Sequence, residues 1–294
     1  MTSLASSALR PRRSVLYIPA SKERALEKAK TLDADTIILD LEDAVAPAAK
    51  EEARAQAARA VRDGGYGGRE LVIRVNGLDT PWGADDLTAA AEARPHAILV
   101  PKVSDAAMLE DVAGRLYTLD PAQDVALWAM METPRGILNA AAIVDATPRL
   151  AALVMGTNDL AKELHSRAMP DRQAMLTSLE MVVLAARAAG LAAIDGVFGD
   201  LNDADGLARE CAQGVGLGFD GKTLIHPKQL AAANTAFAPA DDEIADARRI
   251  IEGWERENGD AKGVVTVDGR MIEALHVDQA RRLVALKDAI DAKA

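Results

Sequence analysis

The sequence has a single cysteine, Cys211, in 294 residues. That excludes a disulfide framework and any multi-cysteine zinc site, and it is compatible with a reducing cytosol. Aromatic residues are scarce, at 3% against 49% hydrophobic, so the core is built from Ala, Val, Leu and Ile and is not that of an aromatic-rich β-sandwich. Positive charge is also short. Lys and Arg number 34 against 45 Asp and Glu, a net charge of −11, and no Lys/Arg block occurs. Neither a nucleic-acid partner nor an anionic membrane surface is expected of such a chain. No apolar run approaches the roughly 20 residues of a membrane span; the richest stretch, 181–194, is interrupted by Arg187 and Gly190. Residues 1–10 lack the apolar stretch of a secretory leader, and a cytoplasmic protein is expected. The length is enough to bury a full core, as one large domain or two small ones.

What is present is an alternation. Short apolar runs recur at 14–19, 36–41, 71–75, 97–100, 125–131, 151–155, 192–194 and 215–219. Most are continuously apolar, the pattern of parallel strands covered on both faces. Amphipathic helical segments lie between them, as over 48–62 and 175–189, where Leu176, Leu179, Val183 and Ala186 recur at three- and four-residue steps. Eight strands with helices between them predict an α/β fold, a (β/α)8 barrel. The rival is an open doubly wound sheet, but no G-x-G-x-x-G follows the first strand. Gly214, Gly216 and Gly218 read as part of the eighth strand, in close backbone approach. After residue 239 the rhythm stops. A polar amphipathic helix over 241–257 is followed by a hairpin, 264–267 and 270–272, around Asp268-Gly269, then a last helix from about 275 to 290. The chain therefore divides into a barrel, 1–239, and a C-terminal extension, 240–294, acting as a lid, a brace or a subunit contact.

In a barrel, side chains at the C-terminal strand ends share one mouth. Those positions hold Asp40, Glu42 and Asp43; Arg74 and Asn76; Lys102; Glu132; Asn158 and Asp159; Asp195; and Asp220 with Lys222. Many carboxylates and few histidines suit a hard cation such as Mg2+, not zinc. Each residue also has a plain structural reading. Glu132 is either a metal ligand or a solvated carboxylate favouring a helix N-terminus. Asp159, after Gly156, is a ligand or a helix cap, and the N–H groups after Gly156 could hold an oxyanion. Asp40-Leu41-Glu42-Asp43 packs three carboxylates into four residues, which repel one another unless a cation or an Arg shares them. Arg74, inside an apolar strand, needs an anion: a substrate carboxylate or thioester oxygen, one of those carboxylates, or both. A serine hydrolase has no support, since G-x-S-x-G is missing. His226 reads as a turn residue, His165 and His276 have no identifiable partner, and Cys211 reads as core packing on a helix.

These stretches resemble the citrate lyase β-subunit-like proteins of the HpcH/HpaI aldolase superfamily. The resemblance rests on Leu16-Tyr17-Ile18-Pro19-Ala20-Ser21 with Arg24, Ile38-Leu39-Asp40-Leu41-Glu42-Asp43, Ile73-Arg74-Val75-Asn76-Gly77, Val100-Pro101-Lys102, Met131-Glu132-Thr133-Pro134, Gly156-Thr157-Asn158-Asp159-Leu160 and the segment 218–227, in order along the chain. It implies a (β/α)8 barrel that binds Mg2+ and cleaves or forms a carbon–carbon bond beside a thioester. The implied substrate is a 3-hydroxyacyl-CoA of malyl-CoA, methylmalyl-CoA or citramalyl-CoA type, and the products an acyl-CoA and a 2-oxo acid. It puts the metal on Glu132 and Asp159 and substrate on Arg74, Glu132, Gly156 and Asn158, with Pro19, Ser21 and Arg24 near the CoA. Asp40, Glu42 and Asp43 would hold metal-bound water and orient Arg74. Glu273 stands after Met271-Ile272, where acyl-CoA lyases and thioesterases of the family often carry Asp; it is the implied base, or the activator of water if the thioester is also hydrolysed. A homo-oligomer, trimer or hexamer, is implied. The alternatives are a CoA-free 2-oxo acid aldolase and the β subunit of a citrate lyase complex acting on an acyl-carrier-protein thioester.

Overall fold

The structure is a computed structural model that describes residues 10–167, 169 and 171–293. The leader expectation over 1–10 therefore lies, Arg10 apart, outside the described residues. Eight strands form one closed sheet: β1 (Ser14–Pro19), β2 (Thr36–Asp40), β3 (Glu70–Arg74), β4 (Ala97–Val100), β5 (Ala126–Met131), β6 (Leu150–Met155), β7 (Ala192–Asp195) and β8 (Gly221–Leu224). They stand side by side in chain order, each pair is parallel, and β8 returns to β1. Helices cross between successive strands, for example Lys50–Asp63 and Leu176–Ala188. This is the expected (β/α)8 barrel.

Successive strand side chains point to opposite sides, and two cores follow from this. Val15, Ile38, Val72, Leu99, Trp128 and Val154 gather in a cluster to which no helix contributes, the interior of the barrel. Their strand neighbours Leu16, Ile37, Leu39, Ile73 and Ile98 pack outward with the helices. Both faces are dry, which is why the strands read as unbroken apolar runs.

One expected strand is wrong. Residues 215–217 end the helix Ala204–Leu217, Gly218 caps it at φ 95°, and β8 follows at Gly221–Leu224. Gly214 and Gly216 are helical, and Gly214 serves close packing: a Cβ there would sit 3.0 Å from Asp195 Oδ2. An apolar, glycine-spaced end of a helix fits a short-strand template, and only the cap distinguishes them. Asp220 thus precedes β8 and Lys222 lies within it. Cys211 is buried on the same helix, as expected.

The described chain falls into two compact units. Arg12–Phe237 is the barrel, and the other includes Ala238–Ala294. The second holds the helix Asp241–Arg256, a hairpin of β9 (Val264–Val267) and β10 (Arg270–Glu273), and the helix Ala274–Asp291. Asp268 and Gly269 both have positive φ, 49° and 76°, as the Asp-Gly turn requires. Trp254, Val265, Val267, Ile272 and Val277 form its own small core. Among the described residues no helix is long and apolar enough to cross a membrane.

Candidate active site

A cavity of about 290 Å3 opens at the C-terminal end of the barrel, and Tyr17, Asp40, Arg74, Glu132, Asn158 and Asp159 are among its lining. Strand register brings these groups together from distant parts of the chain. Asp40 ends β2 directly beside Arg74, which ends β3. Met131 pairs with Met155 between β5 and β6, so Glu132 and Gly156 leave their strands side by side.

Arg74 is 6% exposed and held on several sides. Its Nε and Nη2 donate to the two oxygens of Asp40, both at 2.7 Å. Its Nη1 lies 2.8 Å from Glu42 Oε2 and 3.4 Å from Asp43. The Glu42 approach is an ion pair without hydrogen-bond alignment, so Oε2 has no donor of its own. The ring of Tyr17 covers the guanidinium carbon at 4.9 Å. Burial works against the charge, and Asp40, Tyr17 and Glu42 outweigh it, keeping the guanidinium protonated well above its usual range. The bidentate fork is thus committed to Asp40, while Nη1 faces Glu42 and Asp43. Asp40 is itself fixed by the backbone N–H groups of Glu42 at 2.9 Å and Ala44 at 3.2 Å, an Asx-type turn. Asp40 and Glu42 are buried, so the cluster is not a solvated surface turn; only Asp43 is exposed.

Beneath this turn sits a residue the sequence reading passed over. Lys50, 5% exposed, donates from Nζ to Leu41 O, Glu42 O and Asn76 Oδ1, each at 2.7 Å. Asn76 in turn donates to Asp86 at 2.6 Å. The ammonium saturates three acceptors and pins the loop that carries Asp40 and Glu42. A lysine just after Pro47 at a helix start gives no sequence signal for this.

Glu132 is 1% exposed, so it is not the solvated carboxylate of the plain reading. Its Oε1 accepts from the backbone N–H of Lys102 at 2.7 Å. Lys102 takes a left-handed φ of 51° to present it, and its Nζ reaches Glu42 at 2.6 Å. Burial, with Glu42 and Asp159 nearby, pushes the Glu132 carboxyl up to about 7 despite Lys102 and Arg74. Gly156 makes room for it, since a Cβ there would collide with Glu132 Oε2 and Cβ. Asp159 is not the helix cap: Gly156 occupies the cap position of Thr157–Glu163, and Asp159 stands in its first turn.

Glu132 and Asp159 fit a magnesium site. Both donors are oxygen, and the burial and neighbouring carboxylates that raise Glu132 outweigh the Arg74 charge beside it. Among the described residues no group of three or more His, Cys, Asp or Glu forms a cage. An ion held by these two carboxylates would need water and substrate oxygens to complete its shell, as Mg2+ commonly does.

Other candidates are placed elsewhere. Pro19, Ser21 and Arg24 lie at the end of β1 and the start of the helix Glu23–Ala29, outside the cavity lining. Asp195 and Lys222 are fully buried and pair at 3.1 Å, with Arg172 2.7 Å from Asp195 and Glu210 2.6 Å from Lys222. Asp195 and Lys222 do not line the cavity, but Arg172 and Glu210 line a second one, of about 610 Å3, that shares Thr157 and Asn158 with it. Asp220 pairs with Arg187 at 2.8 Å. His226 caps its turn by accepting from Lys228 N–H. His276 does have a partner, the backbone N–H of Glu273 at 3.0 Å. Glu273 itself belongs to the second unit, at the end of β10 and the start of the last helix. Tyr17 and Met130, which line the cavity, were missed because they sit inside strands and not after them.

A family model for HpcH/HpaI aldolase/citrate lyase matches residues 13–227. The chain is 54% identical over 282 residues to a (3S)-malyl-CoA thioesterase of Cereibacter sphaeroides, covering 96% of both proteins. It is 35% identical over 285 residues to citrate lyase subunit beta of Leuconostoc mesenteroides, covering 95% of this chain and 94% of that one. Among solved structures it is similar to the protein CitE from Mycobacterium tuberculosis in complex with magnesium, acetoacetate and coenzyme A. That likeness has a TM-score of 0.77 at 29% identity, over 95% of this chain and 99% of the other.

Proposed function

We propose, for a chain that belongs to the HpcH/HpaI aldolase/citrate lyase family, a magnesium-dependent carbon–carbon lyase. It cleaves or forms a 3-hydroxyacyl-CoA thioester of malyl-CoA, methylmalyl-CoA or citramalyl-CoA type, with an acyl-CoA and a 2-oxo acid as the other side of the reaction. The observation that carries this reading is the pairing, in one cavity, of a clamped Arg74 with the buried, proton-loving Glu132 and its neighbour Asp159.

Glu132 and Asp159 would hold Mg2+, which when bound polarises the carbonyl of the 2-oxo acid. Arg74 brings its positive charge to the thioester oxygen, where negative charge builds as the bond to the hydroxyl-bearing carbon breaks. Asp40 keeps the guanidinium from turning, so the donor is preorganised and no reorientation is needed at the moment of reaction. The backbone N–H groups following Gly156, with Asn158, hold the carboxylate end of the substrate. Pro19, Ser21 and Arg24 are assigned to the CoA, at the rim beside β1. Glu273 is assigned as the base that takes the hydroxyl proton, or as activator of water for thioester hydrolysis, supplied by the extension 240–294 of a neighbouring copy. We assign a cytoplasmic trimer or hexamer, which sedimentation would count.

The (3S)-malyl-CoA thioesterase at 54% identity supports the CoA reading over the citrate lyase subunit at 35%. The test is purified protein with Mg2+, acetyl-CoA or propionyl-CoA, and glyoxylate or pyruvate, followed by mass spectrometry of CoA products. A condensed thioester that disappears without Mg2+ is the expected result, and free CoA appearing alongside it adds hydrolysis. No adduct from any pairing refutes the reading.

A further inference from the structure

Among the polar groups of the cavity, the Tyr17 hydroxyl stands out for its partner. Its one acceptor among the described residues is the thioether sulfur of Met130, at 3.2 Å. A thioether is a weak acceptor, and a hydroxyl in a barrel interior normally finds a better one. Beside it, Arg74 is held by Asp40, and Glu132 Oε1 accepts from the Lys102 N–H. Met130 packs against Gly156, where a Cβ would come within 2.9 Å of its terminal methyl.

The position of the hydroxyl is informative. β1 and β5 are four strands apart in a closed ring of eight, so they face each other across the barrel. Tyr17 crosses that interior to reach β5. Its ring lies over Arg74, and its hydroxyl touches Met130, two residues before Glu132 and on the same side of the strand. The phenol therefore spans from Arg74 to Met130. Burial, and then the charges of Asp40, Glu132 and Glu42 against that of Arg74, hold it protonated above the ordinary phenol range. It remains a donor throughout the working pH range.

We propose that the Tyr17 hydroxyl is a substrate-contacting hydrogen-bond donor, which leaves Met130 to bond the same thioester oxygen that Arg74 receives. This rests on the lyase reading above. Two donors on one oxygen, one charged and one neutral, disperse the charge that develops there and are worth more in the transition state than in the ground state. No proton is transferred; the O–H bond is kept.

Tyr17→Phe tests this, since it removes one oxygen and leaves the ring on Arg74. Steady-state kinetics of the purified full chain with Mg2+ should show kcat for thioester cleavage falling roughly 100-fold. The KM for Mg2+, the dissociation constant of acetyl-CoA alone and the thermal midpoint should not move. A merely structural hydroxyl gives a different pattern, in which the midpoint and Mg2+ affinity fall together with kcat, and that result overturns the proposal. So does a Tyr17→Phe chain whose kcat is within twofold of the wild type. A wild-type chain with no thioester cleavage or condensation at all overturns the lyase reading itself, and the Tyr17 role with it.

Discussion

Replacing Gly156 with Ala perturbs Glu132, the proposed metal carboxylate, without touching it chemically. The backbone at this position, φ −106° and ψ 76°, suits alanine, so no conformational strain enters. The added Cβ would collide with Glu132 Oε2 and Cβ and would stand 2.9 Å from Met130 Cε. An ordinary contact to an oxygen is about 3.4 Å or more, so the carboxylate must retreat by about 1 Å, and a displacement of that size costs on the order of 100-fold in rate. Retreat is blocked on the far side, because Oε1 is fixed at 2.7 Å from the Lys102 N–H. Overpacking of this kind lowers stability by about 1–3 kcal/mol, so the chain should remain folded. Mg2+ titration followed calorimetrically should show weakened binding, and Mg2+-dependent thioester formation should fall about 100-fold. A Gly156→Ala chain with wild-type Mg2+ affinity and rate would falsify both the packing argument and the role given to Glu132.

Further outcomes follow from the same geometry. Glu132→Ala and Asp159→Ala should each abolish Mg2+-dependent activity while leaving a folded barrel by circular dichroism; retained activity refutes the metal assignment. Arg74→Lys loses the fork to Asp40 and, since lysine cannot restore it, should cost about 100- to 1,000-fold in kcat, with normal kinetics as the contrary result. Lys50→Met removes three donors but leaves only Asn76 Oδ1 without one, since Leu41 O keeps the Asn76 amide at 2.9 Å and Glu42 O keeps the Val45 N–H at 3.1 Å; denaturant unfolding should register a loss of about 2 kcal/mol, and an unchanged midpoint would refute the bracing role. Lys222 and Arg172 outweigh the burial of Asp195 and hold its carboxyl below its ordinary value. Its contribution to stability is therefore complete above the unfolded value of about 3.9 and is lost as pH falls through the lower folded one. Asp195→Asn should be destabilised at neutral pH and lose the part of the acid-side slope below pH 4 that wild type shows; identical slopes in urea unfolding across pH 2–5 contradict this.

The sequence by itself determined the architecture. Continuous apolar runs separated by amphipathic helices leave a parallel barrel as the economical solution, and seven of the eight strands were legible within a residue or so. It also determined the hairpin, because Asp268-Gly269 admits the two positive φ angles that few other pairs tolerate. The eighth strand was misplaced because a glycine-spaced helix end and a short buried strand share the same composition. The direction of each side chain was beyond the sequence. In strands covered on both faces, apolar residues alternate with apolar residues, so nothing in the pattern says that Tyr17, Met130 and Trp128 face the barrel while Leu16, Ile37 and Ile73 face helices. Strand register, a property of the closed sheet, put Asp40 beside Arg74 and Gly156 beside Glu132. Only that closure decided that the arginine's fork goes to Asp40, that a lysine 24 residues before Arg74 braces the turn, and that a phenol is left with a sulfur for its partner.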